Sequence, residues 1–124
     1  MHLPRATEDY LKAILILQNR NGTVRSLDVA EFLHVTKPSV SRAMKLLREG
    51  GFLTMDADKR LSLTEPGRGA AEQVYEKHSA LKLLLVSMGV SPETAEKDAC
   101  GMEHVISEES LDKIIHFIGK EDSV

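Results

Sequence analysis

The segment from Ser26 to Gly51 constrains the fold more than any other part of the chain. It reads SLDVAEFL, then His34-Val35, then TKPSVSRAMKLLRE, and it stops at Gly50-Gly51. Ser26 can cap a short helix over Leu27–Leu33 that turns Val29, Ala30 and Leu33 inward. Thr36 can cap the next helix, with Pro38 in its first turn, where a missing N–H costs nothing. In that helix Val40, Met44 and Leu47 fall at i, i+4 and i+7 and face a core. Pro38, Ser39, Ser41, Arg42, Lys45 and Glu49 fall on the opposite side. Two short helices across a tight turn, the second one basic, describe a helix-turn-helix.

The flanking sequence extends this unit. Thr7 is positioned to cap a helix running to about Arg20, with Tyr10, Leu11, Ile14, Leu15 and Leu17 on its apolar face and Asn21-Gly22 ending it. After Gly51, Leu53 and Met55 alternate with polar residues, as do Leu61 and Leu63 beyond a polar turn at Ala57–Lys59, which predicts a β-hairpin. A hairpin placed there makes the helix-turn-helix winged. Thr64 opens a long helix from about Glu65 to Met88, closed by Gly89. Ser91 and Pro92 start another, and Ser107 starts a last one over Glu108–Ile118, ended by Gly119, with a frayed tail at Lys120–Val124. Aromatic residues are only 4% of the chain, so the core is aliphatic. The expected fold is mainly α: a winged helix-turn-helix DNA-binding domain over residues 1–70 and a helical domain over residues 71–124.

Charge supports the division. The chain has 124 residues and a net charge of −3, yet Lys37 to Arg60 carries six Lys/Arg against three Asp/Glu, and Leu61 to Val124 carries six against twelve. One part is locally basic, and the acidic remainder can attract cations. Arg42 can donate two hydrogen bonds to a guanine edge. Thr36, Lys37, Pro38, Ser39, Ser41 and Lys45 share the DNA-facing surface, and Lys59 and Arg60 at the hairpin tip lie near the DNA backbone or minor groove. The opening MHLPRATEDY lacks the apolar run of a secretion signal, and Ala13–Leu17 and Leu83–Val86 are too short to span a bilayer. One cysteine makes no internal disulfide, so the expectation is a reduced thiol in a cytoplasmic protein.

That cysteine belongs to the run Cys100-Gly101-Met102-Glu103-His104. On a helix, Cys100, Glu103 and His104 share one face. A thiolate, a carboxylate and an imidazole suit a divalent transition metal, which needs further ligands from elsewhere. Asp9 and Glu8 on the first helix, His78 on the long helix, and Glu96 one turn before Cys100 are the candidates. The plainer alternative is a small buried cysteine beside a solvated Glu103–His104 pair. His2, His34 and His116 are weaker candidates. Cys100 and His104 could also form a nucleophilic pair, but no Gly-rich loop or oxyanion hole accompanies them, so an enzyme is set aside.

Taken together, these motifs resemble the diphtheria-toxin-repressor family of metal-dependent repressors, including its manganese-transport-regulator branch. The resemblance rests on Thr7-Glu8-Asp9-Tyr10-Leu11, on Asp28-Val29-Ala30 with Pro38-Ser39-Val40-Ser41, on Leu63-Thr64-Glu65-Pro66-Gly67, and on Cys100 to Ser107. It implies a metal-dependent transcriptional repressor, a homodimer on a near-palindromic double-stranded DNA operator, with no membrane or small organic substrate as partner. It also implies the short form, without the C-terminal barrel domain of longer members. Asp9, Cys100, Glu103 and His104 match the ligands of the family's main metal site. Asp9 is of the manganese type and Cys100 of the iron type, so Fe(II) is expected first and Mn(II) next, while Zn(II), Co(II) or Ni(II) could bind in vitro. His78 matches a histidine of a second site whose companions are replaced here by Lys12, Lys82 and Glu96. The resemblance therefore implies one well-formed metal site and an impaired second one, with His78 free to hydrogen-bond Glu103 or Cys100 instead. The plain reading of Lys12 is a surface pair with Glu8. Leu81, Leu84, Leu85, Ile114, Phe117 and Ile118 are the expected dimer contacts. Metal ligation by both halves would restrict the spacing of two reading helices toward the ~34 Å of one DNA turn. The alternative is a winged-helix regulator that needs no metal.

Overall fold

The computed structural model describes residues 5–122, and the side chains of residues 6–119. The order is α1 (Arg5–Asn21), α2 (Ser26–Leu33), α3 (Lys37–Glu49), β1 (Leu53–Met55), β2 (Leu61–Leu63), α4 (Glu65–Ser87), α5 (Pro92–Met102) and α6 (Glu108–Asp122). The described chain is mainly helical with one small wing, as the patterning predicts. It forms two compact units, residues 1–72 and 73–124, with the division inside α4.

The first unit is an aliphatic core wrapped by α1, α2, α3, the wing and the start of α4. Leu11, Ile14, Val24, Val29 and Val40 are fully buried there, and Met44, Leu47, Leu53 and Leu61 nearly so. The apolar stripe of α3 is the predicted one. Its cap is the predicted one too: Thr36 Oγ1 accepts the Ser39 N–H at 3.3 Å. Between α2 and α3, His34 takes a left-handed φ of 56° and is exposed, which makes the turn tight.

The wing is an antiparallel hairpin pairing Leu53 with Leu63 and Met55 with Leu61. Asp56 closes its turn, since Oδ1 accepts the N–H groups of Asp58 and Arg60, both at 2.9 Å. Lys59 reaches the tip with a φ of 63°. A further bridge, Leu61 N–H to the Val24 carbonyl at 2.7 Å, ties the wing to the segment after α1.

Thr64 fastens the wing to α4. Its hydroxyl donates to the Gly51 carbonyl at 2.6 Å and accepts the Gly67 N–H at 3.1 Å, while its own N–H donates to the Phe52 carbonyl at 3.1 Å. The helix start is thereby pressed onto Phe52, and a Cβ at position 67 would overlap that same Phe52 carbonyl. This is the physical reason for glycine in Leu63-Thr64-Glu65-Pro66-Gly67.

Several expected boundaries shift. The helix α1 already includes Arg5, so Thr7 lies in its interior and does not cap it. Arg25, not Ser26, is the first flanking residue of α2, and its N–H is taken by the Asp28 carboxylate at 2.9 Å. The long helix α4 ends at Ser87, and Gly89 follows with a φ of 100°. The last helix runs through Gly119 to Asp122, because one glycine in a helical pattern weakens a helix without ending it. The frayed tail expected at Lys120–Val124 is thus helical as far as Asp122, and the rest lies outside the described residues, as does His2.

The close approach at Gly67 gives a paired test. Gly67→Ala is expected to lower the urea midpoint, at a cost of about 1–3 kcal/mol from overpacking. Gly69→Ala, whose Cβ would meet nothing within 4 Å, should raise it by up to about 1 kcal/mol through helix propensity. Equal midpoints for the two variants would contradict the packing of α4 on Phe52.

Candidate functional site

In the second unit, α4 and α5 bring chemically active side chains together. Ser91 caps α5 by accepting the Thr94 N–H at 3.4 Å, and Pro92 follows in the first turn. The helix ends at Met102 with Glu103 as its C-terminal flanking residue, and the Glu103 N–H still bonds the Ala99 carbonyl at 3.0 Å. The Cys100–His104 run therefore straddles a helix end and does not lie within a helix. His104 sits in the following turn, where side chains aim more freely than on a regular face.

Glu103 is the centre of this region and is only 1% exposed. Its Oε2 lies 2.8 Å from His78 Nδ1, and its Oε1 lies 3.4 Å from His104 Nε2. A carboxylate so buried needs compensating donors, since desolvation strongly opposes its charge. His78, itself buried, comes from the middle of α4, and its Nδ1 is also 3.7 Å from Cys100 Sγ. The other ring nitrogen, Nε2, is 3.0 Å from Glu96 Oε1, and Lys82 Nζ is 3.0 Å from Glu96 Oε2. Burial pushes the Glu96 carboxyl up, but the hydrogen bonds from Lys82 and His78 outweigh it and hold the group below its usual range. His78, Glu96 and Cys100 each offer one ligand atom, all within 4.8 Å of one another.

Of the residues singled out as ligands, the second unit thus gathers His78, Cys100, Glu103 and His104 into one cluster. Asp9 lies on α1 in the first unit and is partly buried. The donor set fits a divalent transition metal: a soft sulfur, two imidazoles and carboxylates, with Cys100 partly accessible and the His104 ring buried. Lys12 departs from its plain reading as half of a surface pair, because it is 7% exposed. Sequence reasoning missed the Lys82–Glu96 ion pair. Its signal was present: Lys82 follows His78 by one turn on α4, as Glu96 precedes Cys100 by one turn on α5.

The first unit presents the other candidate surface. Thr36, Lys37, Pro38, Ser41, Arg42 and Lys45 are exposed along α3 and its cap, Ser39 is partly so, and Lys59 and Arg60 are exposed at the wing tip. Arg60 lies 3.9 Å from Asp58, a solvated pair that leaves it available to phosphate. Lys37 and Ser41 also line a shallow cavity of about 200 Å³ with Ser26 and Leu27 of α2. Patterning did not assign those two to the DNA face, although the 48% exposure of Leu27 makes it an outward residue.

Two family descriptions match nearly the whole chain. Residues 2–61 match the N-terminal DNA-binding domain of iron-dependent repressors, and residues 64–123 match their metal-binding and dimerisation domain. The chain belongs to the iron-dependent repressor family. Among relatives of this repressor is the transcriptional regulator MntR of Salmonella typhimurium, 36% identical over 116 residues, covering 94% of this chain and 74% of that protein. Another is the iron-dependent repressor IdeR of Mycobacterium bovis, 36% identical over 104 residues, covering 83% of this chain and 45% of that protein. Among solved structures, the metal-dependent transcriptional regulator MtsR superposes with a TM-score of 0.84 at 26% identity, covering 91% of this chain and 53% of that one. The chain spans about half the length of the latter two. Among the described residues of this repressor, no helix is long and apolar enough to cross a membrane.

The buried Glu103–His78 bond can be tested apart from any metal. His78→Ala, kept in chelator, is expected to lose about 1–3 kcal/mol of unfolding free energy, since it removes a bond to a desolvated carboxylate. An unchanged thermal midpoint would show that Glu103 does not rely on this histidine.

Proposed function

We propose that this family member is a repressor that binds a near-palindromic operator as a homodimer when Fe(II) or Mn(II) is bound, and so controls metal-ion homeostasis in the cytoplasm. The carrying observation is the convergence of Cys100, Glu103, His104 and His78 at the end of α5, inside the segment that matches the metal-binding domain. Cys100, Glu103 and His104 are the proposed ligands from the second unit, with Asp9 as the fourth on sequence resemblance alone. His78 fits best as the residue that orients Glu103, through the 2.8 Å bond to its Oε2. The thiolate favours Fe(II), Asp9 keeps Mn(II) close behind, and a relative named as an iron-dependent repressor together with a similar structure described as a manganese-dependent repressor supports a site that accepts either.

When bound, the ion supplies a fixed positive charge to which thiolate, carboxylates and imidazole are drawn together. An ion that binds DNA-competent arrangements more tightly than others would shift the population toward them. The coupling is reciprocal, so operator would tighten ion binding by the same factor. On DNA, Arg42 of α3 reads a guanine edge, while Lys37, Lys45, Lys59 and Arg60 neutralise phosphates. Leu83, Val86 and Phe117 are exposed apolar residues of the second unit and suit a dimer surface, whereas Leu81, expected there, is fully buried in its own protomer.

Anaerobic fluorescence anisotropy tests this reading, with operator DNA from the protein's own upstream region, in chelator and then with Fe(II) or Mn(II). Binding should tighten at least about tenfold with ion, within the usual range of allosteric coupling, and Cys100→Ala should abolish the difference. Equal affinity in chelator would leave a winged-helix regulator without metal control. Arg42→Ala should weaken operator binding by about 1–3 kcal/mol and relax preference at one base pair. Lys45→Ala should weaken binding to all sequences alike and flatten the salt dependence.

A further inference from the structure

The second unit carries a further donor set that overlaps the proposed signalling site at Cys100 and adds Glu96. His78, Glu96 and Cys100 are an imidazole, a carboxylate and a thiol whose ligand atoms lie within 4.8 Å of one another. Such a trio suits a divalent transition metal.

Lys82 changes that outcome. It projects from α4 one turn after His78, and its Nζ lies 3.0 Å from Glu96 Oε2, while Glu96 Oε1 faces His78 Nε2 at 3.0 Å. Both oxygens of the carboxylate are therefore engaged by groups of the chain itself. An ammonium has three donors and no lone pair, so it cannot ligate an ion. Its charge also repels any cation approaching Glu96, and the repulsion acts over a few ångströms of a half-buried region. Lys82 has the charge and the hydrogen-bond donors to satisfy Glu96, and as part of the chain it stays near that carboxylate whatever the metal concentration.

We infer that Lys82 is a tethered cation that fills the place of an ion in the His78–Glu96–Cys100 cluster. The repressor then takes up one divalent ion per protomer and keeps a latent second site that opens when Lys82 is replaced. The inference rests on the reading that Cys100, Glu103 and His104 hold the signalling ion. Its consequence is functional: one occupancy step, not two, governs the response, so metal activation follows a simple binding curve within each protomer.

The experiment is metal stoichiometry on the purified full chain, dialysed anaerobically to equilibrium against Mn(II) and measured by elemental analysis. The wild type should hold about one ion per protomer, since one complete ligand set is present. Lys82→Glu removes the ammonium and adds a ligand, and it should hold about two. Lys82→Gln removes the charge without adding a carboxylate, and it should take the second ion with lower affinity, which keeps the test open should Lys82→Glu fail to fold. The double variant Lys82→Glu/Glu96→Gln should return to the wild-type count. A wild type that already holds two ions, or Lys82 variants that fold and hold only one, would overturn the inference. A wild type that holds none while Lys82→Glu holds one would support the latent site and overturn the proposed signalling site instead. No ion on any variant would overturn both.

Discussion

A carboxylate with almost no access to water organises the second unit. Glu103 is 1% exposed, and its two oxygens face His78 of α4 and His104 beyond α5. Leaving such a group without donors would cost several kcal/mol, roughly the scale of a whole small domain's net stability. The buried apolar residues of the second unit, Val74, Leu81, Ala95, Ala99 and Leu111, include two alanines and no aromatic ring. Apolar burial there is modest, and a polar cluster spanning two helices supplies part of the cohesion. The first unit is held differently, by a continuous aliphatic cluster from α1 to α4. One chain thus pairs a conventional apolar scaffold under the helix-turn-helix with a polar centre whose donor set suits a divalent ion.

The same contrast explains what could be read from the sequence. Caps and stripes are local, so Thr36, Pro38 and the Val40–Met44–Leu47 spacing located α3 and its exposed basic face correctly. The hairpin was legible from alternation, and its register follows from the same residues. Two helix starts were misplaced because Thr7 and Ser26 are good caps by type, yet α1 already includes Arg5 and Arg25 is the residue that flanks α2. Gly119 misled for a similar reason: a residue that often ends helices does not do so when the pattern of α6 continues past it.

Pairings between distant segments were harder. The Val24–Leu61 bridge joins residues far apart in sequence and has no local signature. The burial of Lys12 was invisible to patterning, which places lysine outside by default. The close approach of Gly67 to Phe52 shows the converse, in which a resemblance supplies a glycine and only the structure gives its reason. At the candidate site the residue types were legible from their chemistry, and Cys100, Glu103 and His104 share a run. Their actual setting was not, because the run spans the end of α5 and Glu103 is turned inward onto a histidine 25 positions away.

An ion sensor must leave its signalling site incomplete until the ion arrives, and this sets a limit on how many charges may be supplied by the chain. Lys82 beside Glu96 is a charge that belongs to the chain itself. It settles the outer edge of the cluster and makes that edge indifferent to metal supply. Cys100 lies between this edge and Glu103, near His78 on one side and in the same run as His104 on the other. With ions in both places, as expected for Lys82→Glu, this thiolate would have to bridge them. With the outer position already satisfied by an ammonium, the thiolate has one metal partner left to it. On the inference drawn above, the identity of residue 82 sets the stoichiometry of the response, although it belongs to neither the DNA-reading surface nor the proposed ligand set.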